Sequence, residues 1–328
     1  MTLYRFGYVA MSNELSNASP NQTMTYAQFS KLEDREAAIH KLERIAKSNL
    51  HNCLRLLRHN RANEVDFFRL SSRLVPLATH EELKGWNYIQ PIKEELLELG
   101  SYAQEHGMRI DFHPDHFVVL NTKEEKKFKA SLTVLQYHYR LLKGMGIDPT
   151  HRCVLHLGGM KESKEASLEQ FISNWAHVPR GLQQMIMLEN DDKLYNVEDL
   201  LYVCEKVNIP LVFDLHHHKA NEGSIAWTEN WNRIVNTWSH SPLPIKIHLS
   251  SPKSQEEYRS HADFVDLSMV DEFTKHTAGT ADVIHCMLEA KQKDNALFKL
   301  CDELATHEDY EQQSRANFIR LPSHHSTS

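Results

Sequence analysis

One alternation constrains this chain more than any other feature. Runs of β-forming residues at Tyr4–Ala10, Phe67–Ser72, Met108–Pro114, Arg152–Leu157, Met185–Glu189, Pro210–Leu215, Pro244–Leu249 and Ala281–Ala290 are each followed by residues with helical period. The helical face is plainest in Asp34–Leu50, where Ile39, Leu42, Ile45, Ala46 and Leu50 share one side, and it recurs in Glu124–Lys143 and Glu198–Val207. Gly107 and Gly144 follow two such patterns, where a C-terminal cap favours glycine. The pattern of the eighth run would also suit a helix. Repeated strand–helix alternation without a Gly-Ser linker or a shift in composition predicts an α/β fold, a single (β/α)8 TIM barrel over residues 1–308 of the 328. A doubly wound open sheet is the competing architecture, but no GxGxxG follows the first strand and no P-loop occurs, so no nucleotide cofactor is expected. Residues 309–328 are polar, end Ser-His-His-Ser-Thr-Ser, and are expected to fray.

The ends of the strands carry the chemistry. From the third strand onward they offer His113, His156, Glu189, Asp214 with His216, His217 and His218, then His248 and Glu289. His80 and His261 sit in loops that would lean over the same face. Taken singly, a strand-end histidine more often caps a carbonyl and a glutamate more often pairs with lysine or arginine. Six consecutive strands ending this way is a different matter, because a barrel brings those ends to one mouth. Uncompensated carboxylates gathered there would repel and be costly to bury, and bound cations remove that cost. Twenty-two histidines agree with such a centre. Imidazoles and carboxylates without thiolate suit zinc, manganese or iron, and their number exceeds one tetrahedral shell, so two or three metals are expected. Closely spaced divalent metals suit in-line displacement at phosphorus, which makes phosphodiester hydrolysis the leading reaction class. A metal-dependent sugar isomerase stays open at this point.

Composition narrows the setting. Cys53, Cys153, Cys204, Cys286 and Cys301 are scattered, odd in number and without a CxxC pair, the usage of buried thiols in a reducing cytoplasm. No apolar run reaches the ~18 residues of a membrane span, and the N-terminus lacks a secretory signal, so a cytoplasmic protein without membrane partners is expected. A net charge of −7 argues against indiscriminate nucleic-acid binding, although bound divalent metals would add positive charge locally.

Several motifs resemble those of the UV damage endonuclease family, bacterial type. They are Arg5-Phe6-Gly7-Tyr8, Arg69-Leu70-Ser71-Ser72, Val75 to His80, Phe112-His113-Pro114, Leu188 to Asp192, Phe213 to His217, Lys246 to Ser254, Arg259 to Asp263 and Glu289 to Asp294, in order from about residue 4 to 305. The resemblance implies a TIM barrel related to endonuclease IV. It implies ATP-independent nicking of double-stranded DNA immediately 5′ to cyclobutane pyrimidine dimers and (6-4) photoproducts, leaving a 3′-hydroxyl and a 5′-phosphate. It also implies up to three divalent metals, manganese the usual activator with Zn2+, Co2+ or Mg2+ as alternatives. The ligands it implies are His80, His113, His156, Glu189, Asp214, His217, His248, His261 and Glu289, with His216 and His218 in supporting roles.

The same resemblance makes Glu189, Lys246 and His248 the catalytic set, and Lys246 a site of carboxylation beside the metals. Lys246 lies two residues before His248 and so shares its inward face. Lesion reading would need the duplex bent and the lesion extruded. The family inserts glutamine and an aromatic after the His-Pro of the third strand; here the pair is His116 and Phe117, so an imidazole stands where the family has an amide. Tyr8 matches the family's aromatic near the flipped lesion, and Arg69, Arg73, Lys253 and Arg259 are the expected DNA backbone contacts. A monomer associated with the nucleoid follows from the same resemblance. The readings set against it are an apurinic endonuclease of endonuclease IV type, a sugar isomerase on the same barrel, and a non-catalytic DNA-damage-binding protein.

Overall fold

The computed structural model describes residues 1–322, and His324 and His325 fall outside the described residues. Eight parallel strands are present: β1 Leu3–Val9, β2 Phe67–Arg69, β3 Arg109–Asp111, β4 Cys153–His156, β5 Ile186–Glu189, β6 Leu211–Asp214, β7 Ile245–Leu249 and β8 Val283–Leu288. Their order is β3-β2-β1-β8-β7-β6-β5-β4. The two ends of that order are joined by a bridge between Phe112 and Cys153, with Phe112 N–H donating to Arg152 at 2.8 Å and Val154 N–H donating to Phe112 at 3.0 Å. The barrel therefore closes, and the eighth run is a strand.

Pleating decides which residues enter the barrel. Along β1, Tyr4, Phe6 and Tyr8 pack outward, Tyr4 against Phe273 and Tyr8 against Phe68, which leaves Arg5, Gly7 and Val9 facing in. Gly7 has a physical reason: a Cβ there would stand 2.0 Å from the Phe67 carbonyl oxygen. In-register pairing puts His156 beside Glu189, Asp214 beside His248, and Lys246 beside His285, so the inward residues form layers.

The helices wrap the outside, and two of their ends differ from the expected ones. The first long helix runs Arg35–Ala62, well past Leu50, because Asn52, Cys53, Leu56, Leu57 and Asn60 continue its buried face. The helix Glu125–Gly144 includes Gly144, packed on Leu96, and Gly146 takes the left-handed turn with φ +70°. Gly107, with φ +61°, ends the helix Lys93–Glu105 as expected. The frayed tail is a larger correction. β9 Tyr310–Ser314 and β10 Asn317–Arg320 form a hairpin, and β10 pairs antiparallel with β1. Phe318 buries its ring against Phe6, and Arg320 pairs with Asp271 and Asp309, so polar composition hid a docked segment. All five cysteines are buried and free. No helix among the described residues is long and apolar enough to cross a membrane.

Candidate metal centre

Glu189 closes β5 and is 1% exposed, facing four imidazoles. Its Oε2 lies 2.8 Å from His113 Nε2 and 3.7 Å from His156 Nε2. Its Oε1 lies 2.9 Å from His248 Nδ1 and 3.3 Å from His217 Nδ1. The imidazoles come from the ends of β3, β4 and β7 and from the turn after β6, so closure of the barrel is what assembles them.

β6 passes directly into the helix Leu215–Ala220, and the Asp214 side chain caps it by accepting from His217 N–H at 2.7 Å. The three histidines are therefore successive helical positions, about 100° apart around the axis, and they part company. His217 faces the cluster through Nδ1, 3.7 Å from Asp214 Oδ2, and the same nitrogen lies 3.0 Å from the Asn190 carbonyl, which fixes the ring. His216 bridges the Ser250 hydroxyl at 2.7 Å and the Tyr258 carbonyl at 2.6 Å, tying down the loop that carries His261. His218 packs 5.9 Å from the Phe213 ring, away from the mouth. Asn190 clasps Asp214 at both ends, donating to its carbonyl and accepting from its N–H, each at 2.9 Å.

Glu289 follows β8, its N–H extending the ladder to Leu249 at 2.9 Å. It lies 3.4 Å from His248 Nδ1 and 3.8 Å from His261 Nδ1, and Arg69 donates to it. Arg69 is therefore a cation inside the cluster, because β2 ends with that side chain on the inward face. One layer down, Lys246 is fully buried and donates to Asp111 at 3.0 Å.

The electrostatics are those of a cation site. Burial pushes the Asp214 carboxyl up to about 6, with Glu189 and Glu289 adding to the shift against His217. Burial would raise Glu189 too, but His248, His156, His113 and His217 outweigh it and hold the carboxyl well below its ordinary value. His217 is held well above the usual imidazole range: Asp214, Glu189 and Glu289 overcome its burial. His248 and His156 are pushed down by burial.

Three overlapping groups have ligand atoms within 4.8 Å of one another: His113, Glu189 and His248; Glu189, Asp214 and His217; Asp214, His248 and Glu289. Edges near 3 Å are those of a coordination shell with bonds of about 2.1 Å. Asp214 Oδ2, His248 Nε2 and His156 Nδ1 are buried with no hydrogen-bond partner among the described residues. His113 Nδ1 faces the Pro114 carbonyl at 3.1 Å as a donor, so its Nε2 approaches Glu189 at 2.8 Å across a proton or a cation. The residues fit divalent metals.

One expected ligand, His80, is not brought to this cluster, and Tyr8, expected near the lesion, does not face the mouth. His80 caps its own short turn, accepting from Glu82 N–H at 3.3 Å, and stacks 4.2 Å from Tyr26. Tyr8 is fully buried on the outside of the barrel wall, donating to Asn60 Oδ1 at 2.6 Å; its parity on β1 points it away from the mouth. His116 and Phe117 stand on the loop after β3 with rings 5.8 Å apart, Phe117 63% exposed. Arg73 is exposed and pairs with Asp115 of that loop at 3.7 Å. Lys253 pairs with Glu257, and Arg259 donates to the Asp192 carbonyl at 2.9 Å. Asn190, Ser250 and Asp111 were missed. Asn190 stood inside a quoted motif, and Asp111 lies two residues before His113, the same spacing that placed Lys246 inward.

The comparisons with known proteins agree with this geometry. The family model of UV-endonuclease UvdE matches residues 4–319. The chain is 56% identical over 306 residues to a UV DNA damage endonuclease of Halalkalibacterium halodurans, covering 93% of this chain and 95% of that one. A UV DNA damage endonuclease of Bacillus cereus is 38% identical over 303 residues, with coverage of 92% and 95%. Among solved structures, SacUVDE superposes with a TM-score of 0.80 at 28% identity, over 92% of this chain and 99% of that one. Endonuclease IV from Thermus thermophilus shares the fold, with a TM-score of 0.54 at 12% identity over 92% and 100% of the two chains. From its fold, its strand-end cluster and these matches, the chain belongs to the UV-endonuclease UvdE family.

Proposed function

We propose that this protein is a metal-dependent endonuclease that nicks double-stranded DNA immediately 5′ to cyclobutane pyrimidine dimers and (6-4) photoproducts, without ATP. The observation that carries the reading is Glu189, a buried carboxylate shared by four imidazoles in a chain of the UvdE family. His113, His156, Glu189, Asp214, His217, His248, His261 and Glu289 would hold two or three divalent ions, manganese first among them. Bound there, the ions would activate water and neutralise charge developing on the scissile phosphate. Glu189, Asp214 and His248 would fix the relative position of neighbouring sites, because each belongs to two of the overlapping groups. Arg69 orients Glu289 and offsets its charge.

Carboxylation of Lys246 belongs to the same reading. Its amine would add to carbon dioxide with loss of one proton. Burial pushes the ammonium down to about 8, and Arg69 and Arg109 stand near enough to offset a new negative charge. A high-resolution map showing a plain, Asp111-bound lysine in the metal-loaded protein would remove this element alone.

For the lesion, Phe117 would serve as the wedge and His116 as the contact to the opposite base. The exposed Phe117 borders a cleft of about 1010 Å³ lined by Lys84, Lys126, Lys129 and Arg140 against Glu81 and Glu125, an excess of cations suited to a phosphate backbone. Arg73, Lys253 and Arg259 would extend that path. The protein would act as a monomer on the nucleoid in the cytoplasm. The experiment is nicking of an ultraviolet-irradiated plasmid beside an unirradiated one, with manganese or with chelator. Nicking confined to irradiated DNA and metal supports the proposal, and no nicking with any divalent metal would sink it.

A further inference from the structure

Among the side chains gathered at the mouth, His261 arrives on a hairpin rather than from a strand end or the turn after one. Its segment folds back on itself: Pro252 and His261 form an antiparallel bridge, and Lys253 N–H donates to the Ser260 carbonyl at 2.8 Å. The base of the hairpin is closed by Ala262 N–H donating to the Ser251 carbonyl at 2.8 Å. That base is fastened to the segment after β8, where Lys291 N–H donates to the Ala262 carbonyl at 3.1 Å and Gln292 N–H to the Asp263 carbonyl at 3.0 Å. The segment begins with Glu289, and the fastening sets His261 Nδ1 3.8 Å from Glu289 Oε2. Two ligands of one ion with bonds of about 2.1 Å stand at most about 4.2 Å apart, so this pair can share an ion.

The other hold on His261 is a side chain. Three residues earlier, the Tyr258 carbonyl accepts from His216 Nε2–H at 2.6 Å. A carbonyl only accepts, so the ring proton sits on Nε2, and Nδ1 accepts from the Ser250 hydroxyl at 2.7 Å. His216 and Ser250 are both fully buried, and Ser250 follows β7 directly. The His216 ring therefore spans from the end of β7 to the hairpin, its centre 5.7 Å from the His261 ring and 6.3 Å from the His217 ring. Arg259 also ties the hairpin, donating to the Asp192 carbonyl at 2.9 Å, but that side chain is exposed and water competes for the bond. His261 thus lies between two protected anchors: the main-chain bonds after it and the His216 ring before it.

We propose that His216 is a positioning residue for the metal centre: through Tyr258 it sets the reach of the hairpin and so delivers His261 to the ion that Glu289 also holds. It touches no ion itself, because both of its ring nitrogens are engaged. The proposal rests on the metal-dependent reading above and assigns to that reading a residue acting only through His261.

The test is a manganese titration of the full-length protein without DNA, with free Mn2+ counted by electron paramagnetic resonance. His261→Ala should weaken one bound ion and leave the others. His216→Ala should weaken that same ion by about 10- to 100-fold, the range for losses beyond the ligands themselves. In the His261→Ala background, His216→Ala should cost nothing further, since the two act on one ion in series. Ser250→Ala keeps the ring and removes one of its two holds. It should weaken the same ion less, again with no effect once His261 is gone, and it carries the test if His216→Ala fails to fold. Manganese affinities unchanged in both His216→Ala and Ser250→Ala, or a weakening that persists in the His261→Ala background, would overturn the positioning role alone. No manganese bound by the unsubstituted protein would overturn it together with the metal reading.

Discussion

At the mouth of the barrel, Glu189, Asp214 and Glu289 face imidazoles and a single arginine; one pleat repeat below, about 6–7 Å along the strands, Arg109, Lys246 and Arg5 face a single carboxylate. Both layers occupy inward positions and both are buried, yet their charges are opposite. Hydrophobic residues could fill either layer, as Val9, Phe67 and Met287 do within the same barrel. What the difference teaches is that the barrel sorts its buried charge by layer, with carboxylates and imidazoles at the mouth and cations beneath them. Stacked directly, the cationic floor also keeps the acidic mouth from repelling itself further.

The largest expected effect removes the hub of the upper layer. Glu189→Gln takes charge from two of the three overlapping metal groups. Metals supply several kcal/mol to such a transition state, so nicking of irradiated DNA should fall by about 10³-fold or more. Lesion binding, measured by gel shift, should survive.

The second effect is a pH dependence carried by Asp214. Its folded carboxyl, at about 6, lies above the ordinary 3.8, so the stability its proton confers is complete below 3.8 and is lost as pH rises through about 6. Two units correspond to about 3 kcal/mol at most. A divalent metal replaces the proton, so manganese should raise the unfolding midpoint more at pH 7 than at pH 5, and Asp214→Asn should flatten the difference. A manganese effect equal at both values would show that the upper layer does not need cations.

Arg69 sharpens the boundary between the layers. If it serves Glu289, Arg69→Met should cost about 10- to 100-fold in metal affinity, as outer-shell losses do, and leave the salt dependence of DNA binding unchanged. A flatter salt slope with intact metal affinity would return Arg69 to the role of a phosphate contact. The smallest effect concerns the outside of the wall. Tyr8→Phe should lower stability by roughly 1–3 kcal/mol, because Asn60 loses its buried partner, and leave nicking of a dimer-containing duplex unchanged.

Much of the upper layer was legible in the sequence, because residues at the carboxyl ends of eight parallel strands must converge once the barrel closes. Glu189, Asp214, His248 and Glu289 needed no side-chain geometry to be found, whereas His217 was picked from three neighbouring histidines by the family resemblance alone. The lower layer was hidden: Arg109 and His285 sit inside short β runs, and a single chain does not reveal whether a polar strand residue faces solvent or a barrel interior. Tyr8 shows the same gap in reverse, since the family resemblance set it near a flipped lesion while parity put the ring outside. His80 was placed by its motif, but local capping and stacking on Tyr26 hold it on the cleft wall. The closing hairpin escaped because its strands are polar on one face and are ordered by pairing with β1.

The account stands most directly on where cations bind. Anomalous diffraction from crystals of the full chain grown with manganese should show two or three peaks, each within bonding distance of Glu189, Asp214, His248 or Glu289, and none beside Arg109 or His285. Manganese absent from the strand-end cluster while the protein nicks irradiated DNA would contradict it.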